Sequence, residues 1–231
     1  MSAPTTVPRL SIIIPTLDEA VAIDRLLDDL TPLRAGGHEL ILVDGGSTDG
    51  TIDRAAGRVD VHLTAPAGRA AQMNHAAARA RGDVLWFVHA DSRIPAGADT
   101  AVVSAIQDGA VWGRFDVRLS GTGRTLRVVE FLMNLRSRIS GIATGDQGIF
   151  VERSLFTRLG GFGRMPLMED IDLSRRLRRH APPACLRRPR LTTSSRRWER
   201  DGVARTVLLM WRLRLAFALG TPAERLARLY R

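Results

Sequence analysis

The amino-acid sequence predicts an α/β fold, a mostly parallel central sheet with flanking helices and a basic helical tail at the C-terminal end. Two observations predict the sheet. Short uninterrupted runs of isoleucine, leucine and valine alternate with helical patterns through residues 10–91, and strands without polar alternation belong to sheets covered on both faces. Each run ends in a turn-forming cluster, such as Pro15 to Glu19 or Asp44 to Asp49, and the ligand of such a sheet lies beyond these strand ends. A third observation, the crowding of arginine into the last quarter of the chain, predicts the tail.

Leu10–Ile14 reads as the first strand, stopped by Pro15, and Ala20–Leu33 as an amphipathic helix. Glu39–Val43 is the second strand, followed by a helix from about Thr48 to Ala56. Val59–Thr64 is the third, followed by a helix from about Ala70 to Arg81. Val84–Val88 is the fourth and ends at His89-Ala90-Asp91. Beyond it, Val111, Phe115, Val117 and Leu119 alternate with polar residues, the pattern of an antiparallel or edge strand. A helix over about Arg124–Ile139, a Gly-rich turn from Gly141 to Gly148, a short strand at Gly148–Val151 and a helix over about Glu169–Arg179 follow. From about Asp201 the tail reads as two helices broken near Gly220-Thr221-Pro222. The expected organisation is one α/β domain over residues 1–200 and an amphipathic basic tail over 201–231.

With 231 residues, 45% apolar and 25% charged, the chain has ordinary globular composition and enough length to bury a core unaided. Cys185 is the single cysteine, which excludes an intramolecular disulfide and argues against a zinc–thiolate site. All 34 basic residues are arginine, so lysine Schiff-base chemistry and a Walker lysine are excluded. Residues 1–169 hold 18 arginines and 19 acidic residues, a net −1, whereas residues 170–231 hold 16 arginines and 5 acidic residues, a net +11. Such a segment seeks phosphate, anionic lipid or nucleic acid. Met1 to Pro8 carries no basic stretch ahead of an apolar run, and Leu10–Ile14 is too brief for a signal-peptide core. Val203–Leu219 contains Arg205, Arg212 and Arg214, which suits a membrane surface better than a membrane span. These features predict a cytoplasmic protein whose tail can lie on the inner face of the membrane.

The strand tips carry the chemistry. Asp44 is followed by Gly45-Gly46, so it either accepts hydrogen bonds from a base or a ribose or serves as a strand exit and cap. Arg69 follows Pro66-Ala67-Gly68, where a guanidinium can clamp a diphosphate or merely be solvated. Asn74, one turn later, is its candidate helper. His89 and Asp91 share one face of a strand end, where Asp91 either holds Mg²⁺ or Mn²⁺ against a diphosphate or caps a turn. Glu169, Asp170 and Asp172 crowd one helical turn. They either complement the helix dipole and pair with Arg175 and Arg176, or supply a general base whose pKa rises through mutual repulsion. No G-x-G-x-x-G follows any strand, which argues against a dinucleotide cofactor.

Together these tips resemble the family 2 glycosyltransferases of the GT-A fold. The resemblance rests on Ser11-Ile-Ile-Ile-Pro-Thr-Leu-Asp-Glu19, Leu42-Val-Asp-Gly-Gly-Ser-Thr-Asp49, His89-Ala-Asp91 and Met168-Glu-Asp-Ile-Asp-Leu-Ser-Arg-Arg-Leu177, in order over about residues 9–180. Gly68-Arg-Ala-Ala-Gln-Met-Asn74, Thr144-Gly-Asp-Gln-Gly148 and Leu226-Ala-Arg-Leu-Tyr-Arg231 are similar to a small subgroup of arsenosugar-biosynthesis and diaponeurosporenoate-type transferases.

The resemblance implies transfer of a sugar, with inversion, from a nucleoside diphosphate sugar, UDP-linked by expectation, to an acceptor hydroxyl. Residues 9–95 would form the donor half and 96–200 the acceptor half. Pro15, Thr16 and Glu19 would cradle the nucleoside, Asp44 would bind the base or ribose, and Arg69 would reach the base or diphosphate. Asp91 would hold Mn²⁺ or Mg²⁺, and Asp170, with Glu169 beside it, would be the base. Asp146 and Gln147 are the candidates for the acceptor or donor-sugar pocket. Two positions depart from the family pattern: His89 stands where D-x-D has its first aspartate, and Asp44-Gly45-Gly46 replaces D-D-G.

The tail interleaves Trp198 and Trp211 with leucine and arginine, which reads either as a helix packed on the domain or as a dock for an anionic membrane or a lipid-linked acceptor. Two other functions compete. A sugar nucleotidyltransferase normally carries a Gly-rich basic loop after its first strand, where this chain has Pro15-Thr16-Leu17-Asp18-Glu19. A non-catalytic nucleic-acid-binding module would suit the basic charge, but no recognised nucleic-acid motif accompanies it, so no nucleic-acid partner is expected.

Overall fold

A computed structural model describes residues 7–230. The sequence before Val7, most of the polar start, and Arg231, which closes the last quoted motif, lie outside the described residues. The elements run β1 (Leu10–Thr16), α1 (Ala20–Ala35), β2 (Glu39–Asp44), α2 (Thr51–Ala55), β3 (Val61–Thr64), α3 (Arg69–Ala77), β4 (Val84–Phe87), α4 (Ala98–Gln107), β5 (Trp112–Leu119) and α5 (Arg124–Ser140). They continue with a short 3₁₀ turn (Gly145–Gln147), β6 (Phe150–Glu152), α6 (Arg153–Arg158), α7 (Glu169–Arg178), β7 (Ala184–Thr193), α8 (Arg196–Asp201), α9 (Val203–Ala218) and α10 (Ala223–Tyr230). The seven strands form one sheet in the order β3-β2-β1-β4-β6-β5-β7. Every pairing is parallel except those of β6, which runs against both β4 and β5.

Alternating side chains split the core into two layers. Ile12 and Ile14 of β1 and Leu40 and Leu42 of β2 join one cluster, which takes Ile23, Leu26, Leu27, Leu30 and Leu33 of α1. Their spacing puts all five on one helix face. Ile13, Ile41 and Val43 point the other way and meet Met73, Ala76 and Ala77 of α3. Each fully buried leucine or isoleucine contributes about 1.5–3 kcal/mol.

The second half departs from the sequence expectation. The alternating strand, β5, runs antiparallel to β6, as one of its two expected readings has it, but it is not an edge, because β7 lies parallel on its other side. Two of its polar positions are buried as well, while Arg118 is exposed. Arg114 and Asp116 are fully enclosed, Asp116 pairs with both Arg114 and Arg138, and Asn134 of α5 bonds the β5 backbone at Val117 in both directions at 2.9 Å. The alternation thus marked a buried polar network rather than a solvent face. The edge is β7, whose Arg187, Arg188, Pro189 and Arg190 obscure a strand in sequence yet suit an unpaired edge. Helices α4 and α6 were not anticipated, and the helical tail begins at Arg196 rather than Asp201. The break before Pro222 is where the sequence places it.

The tail packs against the domain. Met168 and Ile171 at the start of α7 share a cluster with Leu213 of α9 and Leu226 of α10, and Arg197 stacks its guanidinium on Tyr230, 3.7 Å from the ring centre. Among the described residues no helix is long and apolar enough to cross a membrane.

Replacing Asp116 by alanine strands the enclosed Arg114 charge, so Asp116→Ala is expected to lower folding stability by about 3–5 kcal/mol in denaturant titration. A loss under about 1 kcal/mol would mean that the network contributes nothing specific.

Candidate active site

The carboxyl ends of β1, β2, β3 and β4 open onto one side of the sheet, and four loops meet there. Asp44 organises the first two. Its carboxylate accepts hydrogen bonds from the Thr16 hydroxyl at 3.0 Å, the Ser47 hydroxyl at 2.5 Å and the amides of Gly46 and Ser47 at 2.8 Å each. Burial pushes its pKa up as the largest single influence, but these hydrogen bonds together hold it below the ordinary aspartate value. Four bonds fill the acceptor capacity of a carboxylate, so Asp44 shapes the loop in this conformation. Gly46, at φ 99°, supplies the left-handed turn that lets two successive amides face it.

Three further side chains fix these loops. Gln72 of α3 donates to the carbonyls of Thr16 at 2.7 Å and Val43 at 3.0 Å. Asp49 accepts from the amide of Ala20 at 2.8 Å, capping the start of α1 from the β2 loop. Asp18 accepts from the amide of Thr48 at 2.8 Å. Pro15 and Thr16 are therefore buried β1 residues, with Thr16 held on Asp44.

Arg196 of α8 reaches the mouth of this region. It lies 3.8 Å from Asp91 and 4.0 Å from Glu19. Burial and then Asp91 raise the pKa of Glu19, while Arg196 and Arg69 oppose them. A cavity of about 410 Å³ opens here, lined by Asp91, Ser194, Arg196, Arg197 and Arg200. Arg69 starts α3 and is exposed. A larger cavity of about 620 Å³ is lined by Pro8, Asp83, Val84, Glu152 and Arg153 and contains none of the strand-tip residues.

The acidic end of α7 faces the same cleft. Met168, at φ 71°, turns the chain sharply into Glu169 and Asp170, and a bulky residue in the left-handed region stores strain where function needs a fixed geometry. Asp170 accepts hydrogen bonds from the amides of Gly145 at 2.9 Å and Ile171 at 2.7 Å. Burial first, and then the Asp146 charge, raise its pKa against these two bonds and Arg69. Burial and Asp170 push Glu169 up to about 7. Burial also raises Asp146, with Asp91 adding to the shift. His89 is held neutral, its pKa pushed down to about 3 by burial and by Arg69. Gly145 permits this assembly, because a Cβ there would sit 2.6 Å from His89 Nε2.

The remaining expected residues are differently employed. Asn74 exchanges two 2.9 Å hydrogen bonds with the backbone of Phe162, pinning the loop before α7. Gln147 is fully buried, and its carbonyl oxygen closes the 3₁₀ turn on Thr144. The structure therefore brings Glu19, Arg69, Asp91, Asp146, Glu169 and Asp170 to one cleft, while Thr16, Asp44, Asn74 and Gln147 hold its walls. Gln72, Asp18 and Asp49 were legible only as members of quoted motifs. Arg136 of α5 and Arg196 carried no local signal. Burial lowers the pKa of Arg136 against the pull of Asp146 and Asp170, and one of its terminal nitrogens is buried without a partner.

Among the described residues no three His, Cys, Asp or Glu side chains converge as a metal cage. A divalent cation held by Asp91 would need phosphate oxygens and water to complete its shell, with Arg196 3.8 Å from the same carboxylate.

The model of the family described as Glycosyl transferase family 2 matches residues 11–161. A PGL/p-HBAD biosynthesis glycosyltransferase of Mycobacterium bovis is 37% identical over 105 residues, 42% of this chain and 41% of that protein. An uncharacterized glycosyltransferase of Mycobacterium tuberculosis is 30% identical over 170 residues, 68% of this chain and 64% of the relative. The matched chain thus spans about two-fifths of the first of these and under two-thirds of the second. Residues 1–349 of TarS from S. aureus align with a TM-score of 0.66 at 17% identity, covering 81% of this chain and 60% of that one. The mannosyltransferase PcManGT from Pyrobaculum calidifontis, in complex with GDP-Man and Mn2+, aligns at 0.60 and 22% identity, covering 83% and 57%. These two structures share the fold, a GT-A sheet flanked by helices. With the family model covering well over half of its length, this chain belongs to glycosyl transferase family 2.

Proposed function

We propose that the protein transfers a sugar from a nucleoside diphosphate sugar, UDP-linked by first expectation, to an acceptor hydroxyl with inversion at the anomeric carbon. One observation carries the reading. The Gly145 amide holds Asp170 of α7 at 2.9 Å while Gly145 itself lies against His89 at the β4 tip, two residues before Asp91, so a diphosphate and a base can face one another across a single cleft.

Glu19 and the β1–β2 loops built on Asp44 would flank the nucleoside. Arg69 and Arg196 would neutralise the diphosphate as it leaves. Asp91 would hold Mn²⁺ or Mg²⁺, which supplies charge stabilisation to the departing phosphate oxygens. Asp170 accepts the proton of the acceptor hydroxyl as its oxygen bonds to the anomeric carbon, and the electron pair of the broken C–O bond leaves with the nucleoside diphosphate. The amides of Gly145 and Ile171 fix the carboxylate for that task. Asp146, beside Arg136, is the nearest support for the sugar or acceptor pocket. Similarity of Gly68–Asn74, Thr144–Gly148 and Leu226–Arg231 to the small arsenosugar-biosynthesis and diaponeurosporenoate-type subgroup supports a hexosyl donor.

Asp170→Asn is expected to lower kcat by about 10²–10⁴ while donor affinity stays within a few-fold. Full turnover in this variant rejects Asp170 as the base.

The base must be ionised, so kcat/KM is expected to rise with pH through a limb near neutrality set jointly by Glu169 and Asp170. Glu169→Gln removes the like charge, eases ionisation of Asp170 and moves the limb to lower pH. An unmoved or upward-shifted limb contradicts the coupling.

Calorimetric titration with UDP is expected to give binding that Mn²⁺ strengthens in the parent and not in Asp91→Ala. An equal metal effect in both proteins removes Asp91 as the ligand.

A further inference from the structure

Among the described residues, eight of the twelve large apolar side chains left exposed lie on or at the end of two helices, Val128, Phe131, Leu132 and Ile139 on α5, Leu208, Trp211 and Leu215 on α9, and Leu219 directly after it. The α9 set is strongly exposed, from 62% for Leu215 to 79% for Leu219, and Ile139 of α5 is 78% exposed. Four such residues along one helix, with four more on the neighbouring α5, are a concentration, whereas isolated ones would need no explanation. The two helices meet at one end: Leu126, Val129 and Met133 of α5 share a cluster with Trp198 of α8 and Val203 and Val207 of α9.

The α9 face is ordered by sector. At 100° per residue, Leu208, Trp211, Leu215 and Leu219 fall within an arc of about 80°, opposite the buried Leu213. Arg205 and Arg212 border that arc on one side and Arg214 on the other, and the helix contains no acidic residue. On α5 the exposed apolar positions likewise lie opposite Glu130, Asn134 and Ser137, which face the domain.

We propose that the α5–α9 face docks on the surface of an anionic lipid bilayer, with the apolar residues in the acyl boundary and the arginines among the headgroups. A helix with an outward apolar sector rimmed by arginine is built for that interface, and none of these helices can span the bilayer. Charge selects the occupant. A second copy seated face to face would set the acid-free α9 against itself and crowd arginine on arginine, whereas anionic lipid satisfies apolar and cationic groups together. Arg196, Arg197 and Arg200 of α8, which immediately precedes α9, line the cavity at Asp91. Docking would therefore bring the catalytic cleft close to the headgroups. The inference stands on the surface alone and needs no turnover to test.

The test is co-flotation of the full chain with phosphatidylcholine vesicles, with and without about one-third phosphatidylglycerol, at low and high salt. Binding to the anionic vesicles is expected, with weakening in salt. Trp211→Asp combined with Leu215→Asp should cut the partition coefficient about tenfold or more, and Arg205→Glu combined with Arg212→Glu should do so for anionic vesicles only. Circular dichroism and thermal unfolding like those of the parent keep a negative result interpretable. Trp211→Phe should retain binding but lose the emission blue shift that marks insertion. No binding to anionic vesicles at low salt overturns the proposal. So does a stable dimer, measured by sedimentation, that dissociates in the double-aspartate variant while the parent ignores lipid.

Discussion

Everything at the active end of this molecule depends on one buried carboxylate. Parallel strands end by releasing backbone groups that the sheet no longer pairs, and at the ends of β1 and β2 those groups must find partners without help from a neighbouring strand. Asp44 supplies them. It takes the Gly46 and Ser47 amides and ties Thr16 of β1 to the β2 loop. The amide of Gly45 donates to Thr16, and Gln72 closes the same junction from α3. A loop satisfied internally presents fixed walls to a ligand, so little ordering remains to be done on binding.

On the opposite wall, opposing demands act on the α7 acids. Desolvation favours protonated carboxylates, and crowding Glu169, Asp170 and Asp146 adds repulsion. Two amide hydrogen bonds at Asp170 and the cationic influence of Arg69 keep the anion within reach. The balance raises both carboxyls and places Glu169 at about 7, and a raised carboxyl is what a general base requires. The strained Met168 and the side-chain-free Gly145 hold it in place geometrically.

Exclusive use of arginine suits this design. A guanidinium keeps its charge when enclosed and offers planar, multiple donors. Arg114 can therefore be fully buried on β5, Arg197 can stack on Tyr230, and Arg196 can project over Asp91 and Glu19. The same residue type serves core, cleft and surface, with local geometry deciding which.

Local pattern was enough to locate β1 to β4, α1, α3, α5 and α7, because each is a run whose period or capping is written in neighbouring residues, and the four strand tips came with them. The sequence also singled out Asp91, Arg69 and the Glu169–Asp170 pair as candidates. It did not reveal β7, where arginine and proline on an edge imitate a loop, or the interior position of β5, whose Asp116 is paired by Arg138 and whose backbone at Val117 is bonded by Asn134, both from another element. The tasks of Asn74 on Phe162 and Arg196 on Asp91 were equally invisible. Those contacts join residues about 90 or more positions apart, and no local periodicity encodes them. Sequence by itself determined the first four strands and the residue types at their carboxyl ends. Tertiary structure alone decided which side chains are consumed in building the cleft and which are left to act in it, because a polar group's role depends on the partners that reach it in space.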